Sequence, residues 1–238
     1  MFDWMTQFDR FSLSPDNVPA AEKTQSELHK LFYSNADTLV FKWRHYLKIY
    51  EDHLSRFRNT PFHMLEIGVA QGGSLSLWRR YFGPEALLFG IDIDDRCRQF
   101  DKRDAHVRIG SQDDPAFLRS VVSEMGGVDV VLDDGSHMAS HQLTSFQVLF
   151  PLLNEGGVYI CEDLHAAYSP AFDGGYRRSG TFIEVAKQIV DDIHADFHDQ
   201  PQSVPGAHRS IHGICFYNSM VVIEKRLQQE PRHVQVGP

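Results

Sequence analysis

"FHMLEIGVAQGGSLSLWRRYFGPEALLFGIDID", residues 62–94, decides the fold. It opens on a short apolar run, Phe62–Ile67, and passes through a glycine-rich bend. An amphipathic segment from Ser74 to Phe82 follows, and then a second apolar run, Ala86–Ile91. Short apolar runs separated by a helical pattern predict parallel strands joined by crossover helices. The alternation continues downstream. Strands are expected at His106–Ile109, Val128–Leu132 and Gly157–Cys161, and helices at Asp94–Phe100, Pro115–Met125, Ala139–Phe150 and Ser179–Ala195. Ile211–Tyr217 and Met220–Glu224 flank the turn-forming pair Asn218-Ser219, which predicts a closing antiparallel hairpin.

The architecture expected is α/β, a doubly wound, seven-stranded and mostly parallel sheet. It is preceded by an N-terminal arm and helical cap over residues 1–60, with the α/β domain filling 61–238. Pro15 and Pro19 interrupt the first twenty residues, and two helical stretches are expected between Ala21 and Phe57. One is marked by Leu28, Leu31 and Phe32, the other by Leu39, Trp43, Tyr46, Leu47 and Tyr50.

Composition narrows the function classes. The 238 residues are 42% hydrophobic, enough for a substantial core. Cys97, Cys161 and Cys215 form no C-x-x-C pair, so neither a disulfide framework nor a zinc knuckle is indicated, and a cytoplasmic location is expected. No 18-residue apolar run and no secretory leader pattern appears, so no membrane partner is expected. A net charge of −9 without a concentrated basic face argues against nucleic acid.

In an open sheet of this kind ligands bind beyond the carboxyl ends of the strands. After the first strand comes Glu66-Ile67-Gly68-Val69-Ala70-Gln71-Gly72-Gly73-Ser74, whose glycines allow close backbone approach and whose helix start offers free N–H groups. The spacing is not the G-x-G-x-x-G of dinucleotide binders, which disfavours hydride transfer. Asp92 ends the second strand, where an acid accepts hydrogen bonds from ribose hydroxyls. Ser111, Gln112 and Asp113 follow the third strand, at the expected adenine edge. Each feature alone also suits a tight turn or a helix cap. Occurring in order at three strand ends, they fit S-adenosylmethionine, with Glu66, Gly68, Gly72, Ser74, Asp92, Ser111, Gln112, Asp113 and Asp133 as cofactor-side residues.

The fourth and fifth strands end in Asp133-Asp134-Gly135-Ser136-His137 and Glu162-Asp163-Leu164-His165. If these strands are neighbours, Asp134, Glu162 and Asp163 converge. Carboxylates that close repel one another unless a cation sits among them, and oxygen-only donors favour a hard ion such as Mg²⁺, with Mn²⁺ or Ca²⁺ as alternatives. His137 and His141 stand four apart, but without thiolates or the zincin glutamate they do not indicate zinc. At about 100° per residue, His137 falls opposite Phe146 on a helix, away from the core and into the cleft.

From "MLEIGVAQGGSLSLWRRYF" through "GIDID", "IGSQDDPAFL", "VVLDDGSH", "LFPLLNEGGVYICEDLH" and "FYNSMVVIEK", the chain resembles the Rossmann-like class I S-adenosylmethionine-dependent methyltransferases. More narrowly it resembles the metal-dependent O-methyltransferases that modify sugar hydroxyls on macrolides and related glycosylated natural products. The resemblance implies that Asp134, Glu162 and Asp163 bind the metal and that His137 is the general base. It also implies a homo-oligomer and an acceptor that is a small-molecule or oligosaccharide hydroxyl. Lys42, His45, Tyr46 and Tyr50 in the helical cap are candidates for the cofactor's carboxylate or the acceptor roof. Tyr46, His165 and Tyr168 are candidate acceptor contacts, and residues 169–180 read as a lid. Two alternatives stay open. One is a catechol-type methyltransferase, although these carry lysine where His137 stands. The other is a non-catalytic cofactor-binding relative.

Overall fold

The structure is a computed structural model, and it describes residues 13–237. The expected N-terminal arm therefore lies largely outside the described residues. Helices α1 (Ala20–Lys23), α2 (Glu27–Tyr33) and α3 (Tyr46–Leu54) precede the first strand. Then follow β1 (His63–Ile67), α4 (Gly73–Phe82), β2 (Leu87–Asp92), β3 (His106–Ile109), α5 (Pro115–Met125), β4 (Val128–Asp133), α6 (Ala139–Leu149) and β5 (Leu153–Cys161). Helices α7 (Phe182–Asp192) and α8 (Ala207–Ser210) lead to the hairpin β6 (Ile211–Tyr217) and β7 (Met220–Lys225).

The seven strands form one sheet in the order β3-β2-β1-β4-β5-β7-β6. The first five are parallel, and β7 pairs antiparallel with both β5 and β6. The order reverses between β1 and β4, so their carboxyl ends open the crevice where this topology places ligands.

Local chemistry explains most element boundaries. Asp114 caps α5 by accepting the N–H groups of Ala116 and Phe117, Pro115 occupies the first helical position, and Gly126 ends the helix at φ +77°. β5 begins four residues earlier than its apolar run suggests, because Leu153 pairs with Val128 across an irregularity in the β4–β5 register. Asp95–Phe100 is a 3₁₀ segment rather than an α-helix. The expected helix over Ser179–Ala195 contracts to α7.

The larger difference lies upstream. Leu39 and Trp43 share the helical spacing of α3 but precede it, in an irregular strap over residues 35–45. The strap turns the tips of Lys42 and Trp43 toward the strand ends, which a continuous helix from residue 39 would not do. Gly73 makes room for it, since a Cβ there would stand 2.1 Å from the carbonyl oxygen of Leu39.

Alternation along the buried strands sorts side chains to the two faces of the sheet. Met64, Val130, Leu132 and Ile160 pack with Tyr46, Leu47, Tyr50, Trp78 and Phe82 of α3 and α4. Leu65, Ile67, Val131 and Tyr159 pack with Leu118, Val121, Phe146, Phe182 and Ile189 of α5, α6 and α7. The helical cap thus shares a core with the sheet. The same alternation divides the acids at the end of β4: Asp133 turns to the α6 side and Asp134 to the α3 side.

Candidate active site

A cleft of about 1230 Å³ runs along the carboxyl ends of β1, β2, β3 and β4. Single-ligand pockets typically measure about 300–1,000 Å³. There is room here for a cofactor and a second molecule side by side.

The floor is the β1–α4 loop. Gly68 has φ +96°, and a Cβ there would lie 2.1 Å from the carbonyl oxygen of Asp134. Only glycine lets this loop press against the end of β4. Asp92 ties the loop down by accepting the N–H groups of Val69 and Ala70 at 2.9 Å, and that of Asp94 at 2.8 Å through its other oxygen. Of the candidate cofactor-side residues, Gly68, Ser74, Asp92, Ser111 and Gln112 line the cleft.

The other candidate cofactor-side residues do not line the cleft. Glu66 is fully buried beneath the loop, accepting from Ser74 Oγ at 3.0 Å and Trp78 Nε1 at 3.3 Å. Burial pushes its carboxyl up to about 7, against the opposing pull of Lys42. Asp133 is buried on the α6 face, held by Tyr159 Oη at 3.0 Å and Gln112 Nε2 at 3.1 Å. Gln112 spends its amide on protein, since its Oε1 accepts the Ser136 N–H and its Nε2 also donates to Ser145. Asp113 bonds Ser111 and faces His141 Nε2 at 3.3 Å, and His141 Nδ1 in turn lies 2.9 Å from Ser136 Oγ. Gly72 is not a lining residue; it begins α4 in a left-handed conformation. Glu66, Gly72 and Asp133 therefore shape the cleft from behind, and Asp113 lies exposed beside His141.

The acidic residues gather between β4 and β5, whose adjacency meets the condition for the acids at their ends to converge. Asp134 and Asp163 line the cleft with His137, and each of these three offers a ligand atom within 4.8 Å of the others. His137 is not on α6: it precedes that helix with φ +59°, so the helical-wheel argument does not apply. It nonetheless reaches the cleft, with Nε2 3.7 Å from Asp163 Oδ2 and its ring against Phe172. Asp163 is also left-handed, at φ +54°. Side-chain-bearing residues held in this region cost on the order of 1–3 kcal/mol each, a strain that clusters at functional sites.

Glu162 departs from the expected arrangement. Its carboxylate is 1% exposed and points to the α3 side, accepting from Tyr50 Oη and from Lys42 Nζ at 2.9 Å. Lys42 Nζ also reaches Asp134 Oδ2 at 2.5 Å, with its side chain only 4% exposed. Burial opposes the ammonium charge, but Asp134 and Glu162 more than offset it, so the Lys42 pKa is raised. Burial raises Asp134 and Glu162 as well, with Lys42 countering. Lys42 is thus bonded to the acids while also lining the cleft. Nothing in its sequence neighbourhood signals this, because the contact spans 92 residues to Asp134 and 120 to Glu162.

Tyr46 is fully buried, its hydroxyl 2.9 Å from both Asp163 Oδ1 and the carbonyl oxygen of Ser219. It supports Asp163 from behind and does not line the cleft. His165 meets Ser219 Oγ at 2.6 Å, and Tyr168 is 46% exposed outside the cleft lining. From residues 169–180, Ala171 and Phe172 reach the cleft wall opposite Leu39, Val40 and Phe41 of the strap.

Residues 65–164 match the family described as a methyltransferase domain, and the sheet is that of a Rossmann-like methyltransferase fold. The chain is similar to sugar O-methyltransferases of natural-product pathways. It is 38% identical over 90% of its length to the 8-demethyl-8-(2-methoxy-alpha-L-rhamnosyl)-tetracenomycin-C 3'-O-methyltransferase of Streptomyces olivaceus, covering 57% of that protein. It is 35% identical to the mycinamicin VI 2''-O-methyltransferase of Micromonospora griseorubida, over 76% of this chain and 48% of that one. Among solved structures, the MycE methyltransferase in complex with Mg, SAH and mycinamycin VI superposes with a TM-score of 0.73 at 33% identity. That match covers 85% of this chain and 53% of the other. The chain spans about half the length of the curated relatives it matches.

Proposed function

We propose that the chain transfers the methyl group of S-adenosylmethionine to a sugar hydroxyl of a glycosylated small molecule, with a divalent ion, Mg²⁺ or Mn²⁺, assisting. The observation that carries this is the placement of Asp134, Asp163 and His137 on one wall of a cleft whose far end holds Asp92. The similarity to sugar O-methyltransferases supports the choice of acceptor.

The reaction is an in-line displacement at a sulfonium methyl. A sugar hydroxyl is a poor nucleophile while protonated. His137, at the cleft wall, is the group to take its proton. Asp134 and Asp163 would hold the ion, whose hard-oxygen preference their carboxylates suit. When bound, the ion supplies positive charge that lowers the hydroxyl's pKa. Gly68 and the N-terminus of α4 would admit the cofactor's amino-acid part closely, and Asp92, in the cleft lining, would face the ribose. Phe41, Met138 and Phe172 give the acceptor side an apolar wall.

The test is mass-spectrometric detection of a 14-Da gain on rhamnosyl and related deoxysugar glycosides, with S-adenosylmethionine and either Mg²⁺ or chelator. Metal-stimulated methylation is expected. Tight cofactor binding without transfer to any glycoside would instead mark a non-catalytic relative.

A further inference from the structure

We propose that His141 is a positioning residue for His137: held between Asp113 and Ser136, it pins the turn that aims the His137 ring into the cleft. The proposal rests on the reading of His137 as the base.

His137 needs such a pin because of its backbone. At φ +59° it occupies the left-handed region, which a residue with a side chain keeps only when its surroundings over-determine it. Two ties bracket it. From the inside, Gln112 Oε1 accepts the Ser136 N–H at 2.6 Å, and Gln112 is itself anchored by donating to Asp133 and Ser145. From the outside, Ser136 Oγ accepts the Met138 N–H at 3.3 Å, which closes the turn across His137. A hydroxyl holds a turn only if its own rotation is fixed. His141 fixes it: its Nδ1 lies 2.9 Å from Ser136 Oγ, and its Nε2 faces Asp113 Oδ2 at 3.3 Å. A neutral His141 that directs Nε2–H at Asp113 accepts the Ser136 hydroxyl at Nδ1, leaving the lone pairs of Ser136 Oγ to Met138. Asp113 is bonded in turn by the Ser111 hydroxyl, beyond the end of β3.

Helix α6 also begins without a capping side chain, since its N-cap residue is Met138. His141, in the first turn, supplies from within the helix the tie that a cap would otherwise give. Both of its ring nitrogens face protein groups, so the ring lines the cleft without presenting a nitrogen to the acceptor or to an ion. It also stands outside the cluster of Asp134, His137 and Asp163. The two histidines four apart in the sequence thus divide into one that faces the reaction and one that holds the first in place.

The experiment is carbethoxylation of the full chain with diethyl pyrocarbonate, read at each histidine by tandem mass spectrometry, with S-adenosylhomocysteine affinity measured in parallel by calorimetry. His137 is 7% exposed and His29, in α2, is 2% exposed, so both react slowly in the parent and His29 reports general loosening. His141→Ala should raise the His137 rate about three- to tenfold, the worth of one hydrogen bond, and leave the His29 rate and the cofactor affinity unchanged. His141→Asn, whose amide nitrogen takes the place of Nδ1, should restore most of the protection. Ser136→Ala should match or exceed His141→Ala, and the double variant should go no further than Ser136→Ala, because one tie is lost in either case. On a rhamnosyl glycoside that the parent methylates, His141→Ala should lower kcat about ten- to hundredfold with KM for S-adenosylmethionine nearly unchanged. If His141→Ala fails to fold, Asp113→Ala, at the exposed end of the tie, makes the same comparison.

An unchanged His137 rate, an equal rise at His29, or additive effects in the double variant would overturn the proposal. A raised His137 rate with kcat unmoved would overturn the part of His141 in the reaction and leave the proposed methyl transfer standing. Absence of methylation by the parent, with S-adenosylhomocysteine bound, would overturn the proposed function instead, and the tie would then stand or fall on carbethoxylation alone.

Discussion

His137 Nε2 stands 3.7 Å from Asp163 Oδ2 at the wall of the cleft. A carboxylate this close orients the ring, which is what a base needs when it takes a proton from a weakly acidic hydroxyl. His137→Ala should lower turnover about 10²–10⁴-fold, the usual contribution of one general base, with partial recovery at high pH. Steady-state methyl transfer across pH checks this. A drop in Mn²⁺ affinity of similar size would instead make His137 a ligand, since its nitrogen lies within reach of both acids.

Asp92 orders the glycine loop through the backbone N–H groups of Val69 and Ala70 and also lines the cleft. Asp92→Ala should weaken S-adenosylhomocysteine binding by about tenfold or more, because both a ligand contact and the loop's preorganisation are lost. Calorimetric titration measures it. An affinity within twofold of the parent would remove Asp92 from the cofactor site.

Glu66 imposes a pH dependence on stability. Its carboxyl is raised to about 7 by burial, so between its unfolded value near 4.5 and 7 the folded chain binds more protons than the unfolded one. The stabilising contribution is complete below the unfolded value and is lost as pH rises through 7. At about 1.4 kcal/mol per pH unit, this makes a difference of about 3 kcal/mol. Glu66→Gln, which keeps hydrogen-bonding capacity toward Ser74 and Trp78, should flatten that slope. Urea denaturation at pH 5 and pH 8 gives the comparison, and identical slopes in parent and variant would contradict it.

Gly68→Ala should destabilise the fold by at least about 3 kcal/mol, combining a left-handed backbone with a methyl group driven into the end of β4. Chemical denaturation reads the change directly. A loss below about 1 kcal/mol would mean that the loop is free to move away from Asp134.

The central strands β1, β2, β4 and the second half of β5 were legible in the sequence because they are buried on both faces and read as near-continuous apolar runs. Their ends were legible too, and with them Asp92, Asp134, Asp163 and His137. Orientation was harder to read. Glu66 and Asp133 look like ligands in one dimension, but strand alternation turns them beneath the surface, where Trp78 and Tyr159 occupy them. Lys42 was legible only as a cation in a cap. Its partners are set by the strap between α2 and α3, whose helical spacing at Leu39 and Trp43 conceals an irregular path. Long-range polar contacts of that kind have no periodic signature.

Ser219, in the turn between β6 and β7, receives the Leu164 N–H and lies against the Tyr46 hydroxyl. The loop carrying Asp163 is therefore clamped between two segments separated by 173 residues. During synthesis, the carboxylate site cannot assemble until the hairpin has left the ribosome and returned to the first helices. A nascent chain that has finished β5 already carries Lys42, Tyr46 and Tyr50, but not the Ser219 carbonyl that holds the loop after Asp163. That hold is a long-range contact, of the kind that closes slowly.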